Sequence, residues 1–269
     1  MEIINLILGS KIERIKDRFK MSSIVEIDDY EASYNIVFGH EAMAICNMQT
    51  RQAVKFIWGL KEIPKHPEPI YFIRAEGDRN KSNDPNYTGT NAIFLKPEFR
   101  NALNHQRCLI VVDAFVVGVQ TEDPYLVYLR NKNHPFALAG IWNTFNDPET
   151  GNTITTFAIM TTAANHLIRA LGHQRMPAII HIERESSWLK TSSSLTDVLN
   201  CLSPFPDRLM NAYPISTKVN DPVQNDLSVI QPIGEPVCKE NRAPTFVRKK
   251  DKYIPSDITW ADQVRMSKE

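Results

Sequence analysis

A titratable imidazole, His173, and a permanent cation, Arg175, sit two residues apart in the run His173-Gln174-Arg175-Met176-Pro177. An imidazole moves protons near neutral pH, and a guanidinium grips an anion through two parallel donors. Together they suit a site that holds an anionic group and shuttles a proton at its edge. They would equally suit an ordinary turn with two solvated polar side chains, and spacing alone does not separate the two readings. The four cysteines, Cys46, Cys108, Cys201 and Cys238, form no CxxC pair and stand at no zinc-finger spacing from histidine. They read as buried thiols in a reducing compartment, with no metal and no cofactor expected.

The imidazole and the guanidinium need a scaffold, and residues 155–182 supply its pattern. An apolar run, 157–160, leads through two threonines to Asn165. Leu167, Ile168 and Leu171 then repeat at helical spacing until Gly172, and a second apolar run, 178–182, follows. Strand, helix, sharp turn and strand are predicted, and such turns are where strand-supported sites are built.

Upstream, residues 3–8 predict a buried strand, and Ser10 predicts the cap of a helix carrying Ile12, Ile15 and Phe19. Short strands are expected at 34–38, 43–46, 54–60 and 70–75, a polar exposed loop at 76–89 and a helix at 96–104. Three apolar runs, 108–119, 125–129 and 136–142, are separated by turn-rich segments, which favours antiparallel pairing. A capped helix at 192–202, a strand at 210–219 and a closing segment at 226–230 complete the body. From Pro232 onward, prolines and the basic cluster Arg248-Lys249-Lys250 mark a polar, partly extended tail.

Composition narrows the class. With 42% hydrophobic and 23% charged residues in 269, the chain is an ordinary globular protein of one large or two small domains. Basic and acidic residues balance at 31 each, so no bulk field draws it to nucleic acid. Any anion site must come from local placement of Arg and Lys. The apolar run near the start is too short for a secretory leader or a membrane span, so a cytoplasmic protein with no membrane partner is expected.

Several runs, in order, carry a resemblance. They are Tyr34-Asn35-Ile36, Trp58-Gly59-Leu60, Arg74-Ala75-Glu76 and Arg107-Cys108-Leu109-Ile110 up to Asp113. Next come the run from Pro135 to Trp142 and Thr161-Thr162-Ala163-Ala164-Asn165. His173 with Arg175-Met176-Pro177, then Tyr213-Pro214-Ile215-Ser216-Thr217 with Val219-Asn220, complete the set. Taken together, residues 1–230 resemble the SOS-response-associated peptidases, also described as abasic-site-processing proteins. The resemblance implies an α+β fold: one domain of curved, mainly antiparallel strands forming a barrel-like core with peripheral helices, followed by the tail at 231–269. It also implies binding of single-stranded or gapped DNA and capture of an abasic aldehyde. In that chemistry a cysteine at position 2 first forms an imine through its amine and then closes a thiazolidine through its thiol. An asparagine, a glutamate and a histidine assist.

Three of those four positions are substituted here. Position 2 is Glu2, Phe72 stands at the asparagine position and Val117 at the glutamate position; only His173 matches. A carboxylate supplies no sulfur for a thiazolidine, and valine moves no proton, so the stable crosslink is not expected. The binding side is better kept. Trp58 matches an aromatic set against a base, and Arg74 and Arg175 match arginines on DNA phosphates; Asn35 and Thr162, in matching runs of their own, are expected DNA-binding residues as well. Core packing for Trp58 and pairing with Glu76 for the arginines are the alternatives. The expectation is a monomeric, non-crosslinking DNA-binding protein of the damage response. Two alternatives stay open: an enzyme that uses the Met1 amine, with Glu2 or His173 moving protons, and a protein-binding scaffold.

Overall fold

The computed structural model describes residues 4–21, 23–24, 30–47, 51–63, 66–130 and 134–239. In chain order the strands are β1 (Asn5–Leu8), β2 (Ser23–Ile24), β3 (Ser33–Ile36), β4 (Glu41–Asn47), β5 (Arg51–Trp58), β6 (Phe72–Arg74) and β7 (Arg107–Val112). Then follow β8 (Ala114–Val117), β9 (Tyr125–Leu129), β10 (Phe136–Asn146), β11 (Thr153–Ala163), β12 (Arg175–Pro177), β13 (Ile179–Ile180) and β14 (Met210–Pro214). The α-helices are α1 (Ile12–Phe19), α2 (Pro97–His105), α3 (His166–Ala170), α4 (Glu185–Leu189) and α5 (Leu195–Asn200).

The apolar run expected at 108–119 breaks at Asp113, and that break divides the molecule. Before it, β7 lies between β4 and β10; after it, β8 lies between β1 and β9 in a second sheet. In the larger sheet, β5, β4, β7, β10 and β11 pair in sequence, and β11 returns to β5 through Thr156↔Ile57 and Phe157↔Trp58. The ring is therefore closed. Its last seam is parallel and the other four are antiparallel, which gives a mixed barrel with few free edges. Every residue of β7 is buried, because α2 and α4 pack on this strand as well. A strand covered on both faces reads as an unbroken apolar run, which is how Arg107-Cys108-Leu109-Ile110-Val111-Val112 is written. The smaller sheet runs β14–β9–β8–β1–β3 and has a satellite core around Tyr128, Tyr213 and Val229.

Several expectations need correction. Ser10 does not cap α1: its hydroxyl donates to Asp113 Oδ1 at 2.6 Å, and Asp113 Oδ2 accepts the N–H groups of Gly9 and Ser10 at 2.8 and 2.7 Å. The carboxylate fixes the chain just ahead of the helix, and α1 itself has no side-chain cap. Residues 76–89 are not wholly exposed, since Glu76, Gly77 and Asn80 are buried. Arg175-Met176-Pro177, expected as part of a turn, is itself strand β12 and pairs antiparallel with β11. The strand expected at 210–219 stops at Pro214 and gives way to a 3₁₀ turn, Thr217–Asn220.

Past residue 230 the chain still packs on the body. Ile233 N–H donates to Pro214 O and Val237 N–H to Ala212 O, while Cys238 and Asn211 exchange hydrogen bonds. Residues 232–238 thus lie along β14, the outer strand of the smaller sheet, in the stretch where the sequence placed the tail. Residues 240–269, with the basic cluster, lie outside the described residues. Among the described residues Cys46, Cys108 and Cys201 are buried thiols and Cys238 is half-buried. No helix of the described residues is long and apolar enough to cross a membrane.

Candidate functional site

Strand β11 outlasts the barrel it closes. Its later residues are flanked by β6 through Ile159↔Phe72, Met160↔Ile73 and Thr161↔Arg74, and by β12 through Thr161↔Pro177, Thr162↔Met176 and Ala163↔Arg175. Side chains alternate across a sheet, so Phe72, Arg74, Thr161, Arg175 and Pro177 fall on one face of this three-stranded platform. A cavity of about 260 Å³ opens there. Its polar wall is Arg74, Arg175 and Thr161, and its apolar wall is Phe72, Met176, Pro177 and Ile4.

The two arginines are held differently. Arg175 makes a bidentate pair with Glu76, Nη1 to Oε1 at 3.0 Å and Nη2 to Oε2 at 2.8 Å, and also donates to Thr161 O and Oγ1 at 2.7 and 3.0 Å. Glu76 Oε1 accepts the Ala163 N–H as well, at 3.0 Å. A tight turn places the carboxylate there: Gly77 N–H donates to Arg74 O. Gly77 has φ +57°, and a Cβ on it would meet Ala92 O at 3.0 Å, so this position favours glycine on both counts. Burial raises the Glu76 carboxyl, but hydrogen bonds and charge from Arg175, with the Ala163 N–H, outweigh burial and hold it below the usual range.

Arg74 donates through Nη2 to the carbonyl of Asn80, and its Nε is buried with no hydrogen-bond partner. Burial and then the positive charge of Arg175 push the Arg74 guanidinium below its ordinary pKa, against the opposing pull of Glu76 and Asp78. It stays charged, since arginine does not deprotonate in proteins, and a cation in such a field is stabilised by an anion. Two guanidinium groups and one carboxylate leave a net positive charge at the cavity of a chain whose total charge is zero.

The remaining candidates lie elsewhere. Trp58 is fully buried: its ring stacks on Phe157 at 6.1 Å and its Nε1 donates to Tyr71 O at 3.1 Å. A base stacking on it in this conformation is excluded, because both faces belong to the core. The aromatic that reaches the cavity is Phe72, held edge-to-face by Trp58 and Phe38, each at 5.6 Å between ring centroids. Asn35 is also corrected to a structural role. It is buried in β3, takes a hydrogen bond from Asn5 at 2.7 Å, and donates to the carbonyls of Val219, Asp221 and Gln224. Thr162 points away from the cavity and bonds Ala163 O at 3.2 Å; its neighbour Thr161 has the lining role, a difference of one residue and hence of sheet face.

His173 is half-buried in the turn before β12 and is not among the residues lining the cavity. Val117 is buried at the end of β8. Met1 and Glu2 lie outside the described residues, but Ile4 lines the cavity. Ile4, Thr161, Met176 and Pro177 were not singled out by their chemistry. Alternation along β11 and β12 groups Thr161 with Arg175 and Pro177 once the strand pairing is known, and not before.

A closed mixed barrel carrying an arginine-lined platform on its last strand defines the class of protein, and comparison gives the family. Residues 6–222 match the family described as SOS response associated peptidase (SRAP), and the chain belongs to it. It is 30% identical over 232 residues to the abasic site processing protein YoqW of Bacillus subtilis, covering 83% of this chain and 96% of that one. The chicken abasic site processing protein HMCES is 29% identical over 164 residues, 52% of this chain and 48% of its own. In fold, a crystal structure of a protein from Bacteroides thetaiotaomicron superposes with TM-score 0.65 at 25% identity, covering 86% of this chain and 99% of that chain. A phage-related protein from Bordetella bronchiseptica gives 0.57 at 16% identity, covering 78% and 93%.

Proposed function

We propose that this chain is a DNA-binding SRAP protein that holds an unpaired strand in the cavity on β6, β11 and β12 without forming the family's stable crosslink. The observation that carries the reading is the charge at the cavity: Arg74 lines it with a guanidinium destabilised by burial and then by the charge of Arg175, a setting that favours a phosphate. Arg175, tied to Glu76, acts here mainly as fixed positive field and as the clamp on Thr161. Phe72 and Val117, where the resemblance expects an amide and a carboxylate, leave no polar group for imine and proton chemistry at those positions. The family membership and the relatives named abasic site processing proteins support DNA as the partner.

The test is a salt titration of single-stranded DNA binding. For a single strand the logarithm of affinity falls with that of salt by roughly 0.7 per phosphate contact. Arg74→Ala should remove about one such contact. Absence of binding at low salt, or a slope indifferent to Arg74→Ala, rejects the reading.

A second reading is favoured by Ile4 lining the cavity. Three residues span at most about 11 Å, a length that would allow an amine at Met1 to form a transient imine with an abasic aldehyde in the cavity. Borohydride trapping on abasic strands separates the two: an adduct lost when the amine is blocked supports the enzyme, and binding with no adduct supports the first reading.

A further inference from the structure

We infer that the cavity seats a nucleotide that keeps its base, with the base laid against Phe72 and its phosphate at Arg74, and that it disfavours a base-less sugar. This rests on the DNA-binding reading above. The apolar side chains beside the arginines on this face are Phe72 and Pro177, with Ile4 also lining the cavity: a ring, a pyrrolidine and a branched alkyl group. A ring-opened sugar is a small chain of hydroxyls and an aldehyde, and such a wall offers it no hydrogen bond; desolvating those groups without partners is unfavourable. A nucleobase has the opposite needs. Its faces gain from an aromatic ring and from apolar neighbours, and its charge is carried by the phosphate.

Geometry supports the same occupant. Phe72 and Arg74 are two residues apart on one strand, so ring and guanidinium project from the same face. The ring does not have to be ordered on binding, because Trp58 and Phe38 already brace it edge-on. Trp58, buried beneath, therefore contributes as the support of a platform. The volume of about 260 Å³ is slightly below the roughly 300–1,000 Å³ of small-ligand pockets. That is room for one ring system against Phe72. Thr161, on the same face between the two arginines, donates its hydroxyl to Ile73 O at 3.3 Å and accepts from Arg175, so it fixes the platform and leaves the phosphate to Arg74.

The experiment compares two ligands of equal length and phosphate count by fluorescence anisotropy at low salt: a short oligothymidylate and a backbone of tetrahydrofuran phosphates that has no bases. The wild-type chain should bind the oligothymidylate about tenfold more tightly, as expected for one stacked base. Phe72→Asn should remove most of that preference while keeping the salt slope. Phe72→Leu, which keeps the apolar packing, should weaken the preference to a smaller degree and serves if the asparagine variant does not fold. Equal affinity of the wild type for the two ligands, or tighter binding of the base-less one, overturns the inference and leaves the DNA-binding reading standing. A preference that both Phe72 variants retain in full also overturns it. Binding of neither ligand overturns the DNA-binding reading itself.

Discussion

Asp113 and Glu76 are both buried carboxylates that tie distant segments together, yet only Glu76 holds a side chain that lines the cavity. Asp113 accepts three hydrogen bonds from Gly9 and Ser10 at the entry to α1, among apolar neighbours on both sheets. Glu76 takes two from Arg175 and one from Ala163, but its partner lines a cavity that also holds Arg74. A fully satisfied charged knot fixes the junction of two sheets and has nothing left for a ligand. The other knot holds one arginine so that a second, less satisfied one stands over the cavity. Position in the fold, more than residue type, separates a carboxylate enclosed between two sheets from one that pairs with a cavity-lining arginine.

Mutations should break this comparison unequally. Asp113→Ala removes three hydrogen bonds to a charged acceptor and should cost about 4 kcal/mol of stability by urea unfolding, with the salt slope of DNA binding unchanged in whatever fraction folds. Glu76→Gln leaves Arg175 with a buried charge and no carboxylate, so about 3 kcal/mol should be lost. Here, unlike at Asp113, single-strand binding should tighten, because the negative charge paired with the cavity-lining Arg175 is gone. The Glu76 contribution should also depend on pH. Its folded carboxyl lies below its ordinary value of 4.5, so the stabilisation is complete above that value and is lost as pH falls through the lower, folded one. The stability gap between wild type and Glu76→Gln should therefore narrow between pH 7 and about pH 3. Trp58→Phe should cost about 1–2 kcal/mol through lost packing and the lost bond to Tyr71, with no change in salt slope. Arg74→Ala should be the mildest for folding, about 1 kcal/mol or less, and should lower the salt slope by roughly 0.7.

Much of the architecture was legible because buried strands of this barrel are written as apolar runs, as in β7 and the first half of β10. The division at Asp113 was not, since one polar residue in an apolar run reads the same in a continuous strand as at a crossing between two sheets. For the site, ordered motifs led to Arg74 and Arg175 but not to the difference between them, which depends on Glu76 folding back through the Gly77 turn. Trp58 was misplaced because an aromatic in a matched run has no direction until its strand has neighbours. Closure of the ring at Phe157↔Trp58 turned the indole inward and left Phe72 as the ring at the surface. Thr161 and Thr162 differ only by sheet face, which a single sequence does not assign without a register.

The segment at 232–238 has a consequence of its own. By running along β14 it engages carbonyl groups, those of Ala212 and Pro214, that an outermost strand would otherwise hold out to any passing chain. Shortening the protein to residue 230 would spare every side chain of the cavity and yet bare a ready template for edge-to-edge zipping between copies. What looks like surplus at the end of the domain is its guard against self-assembly.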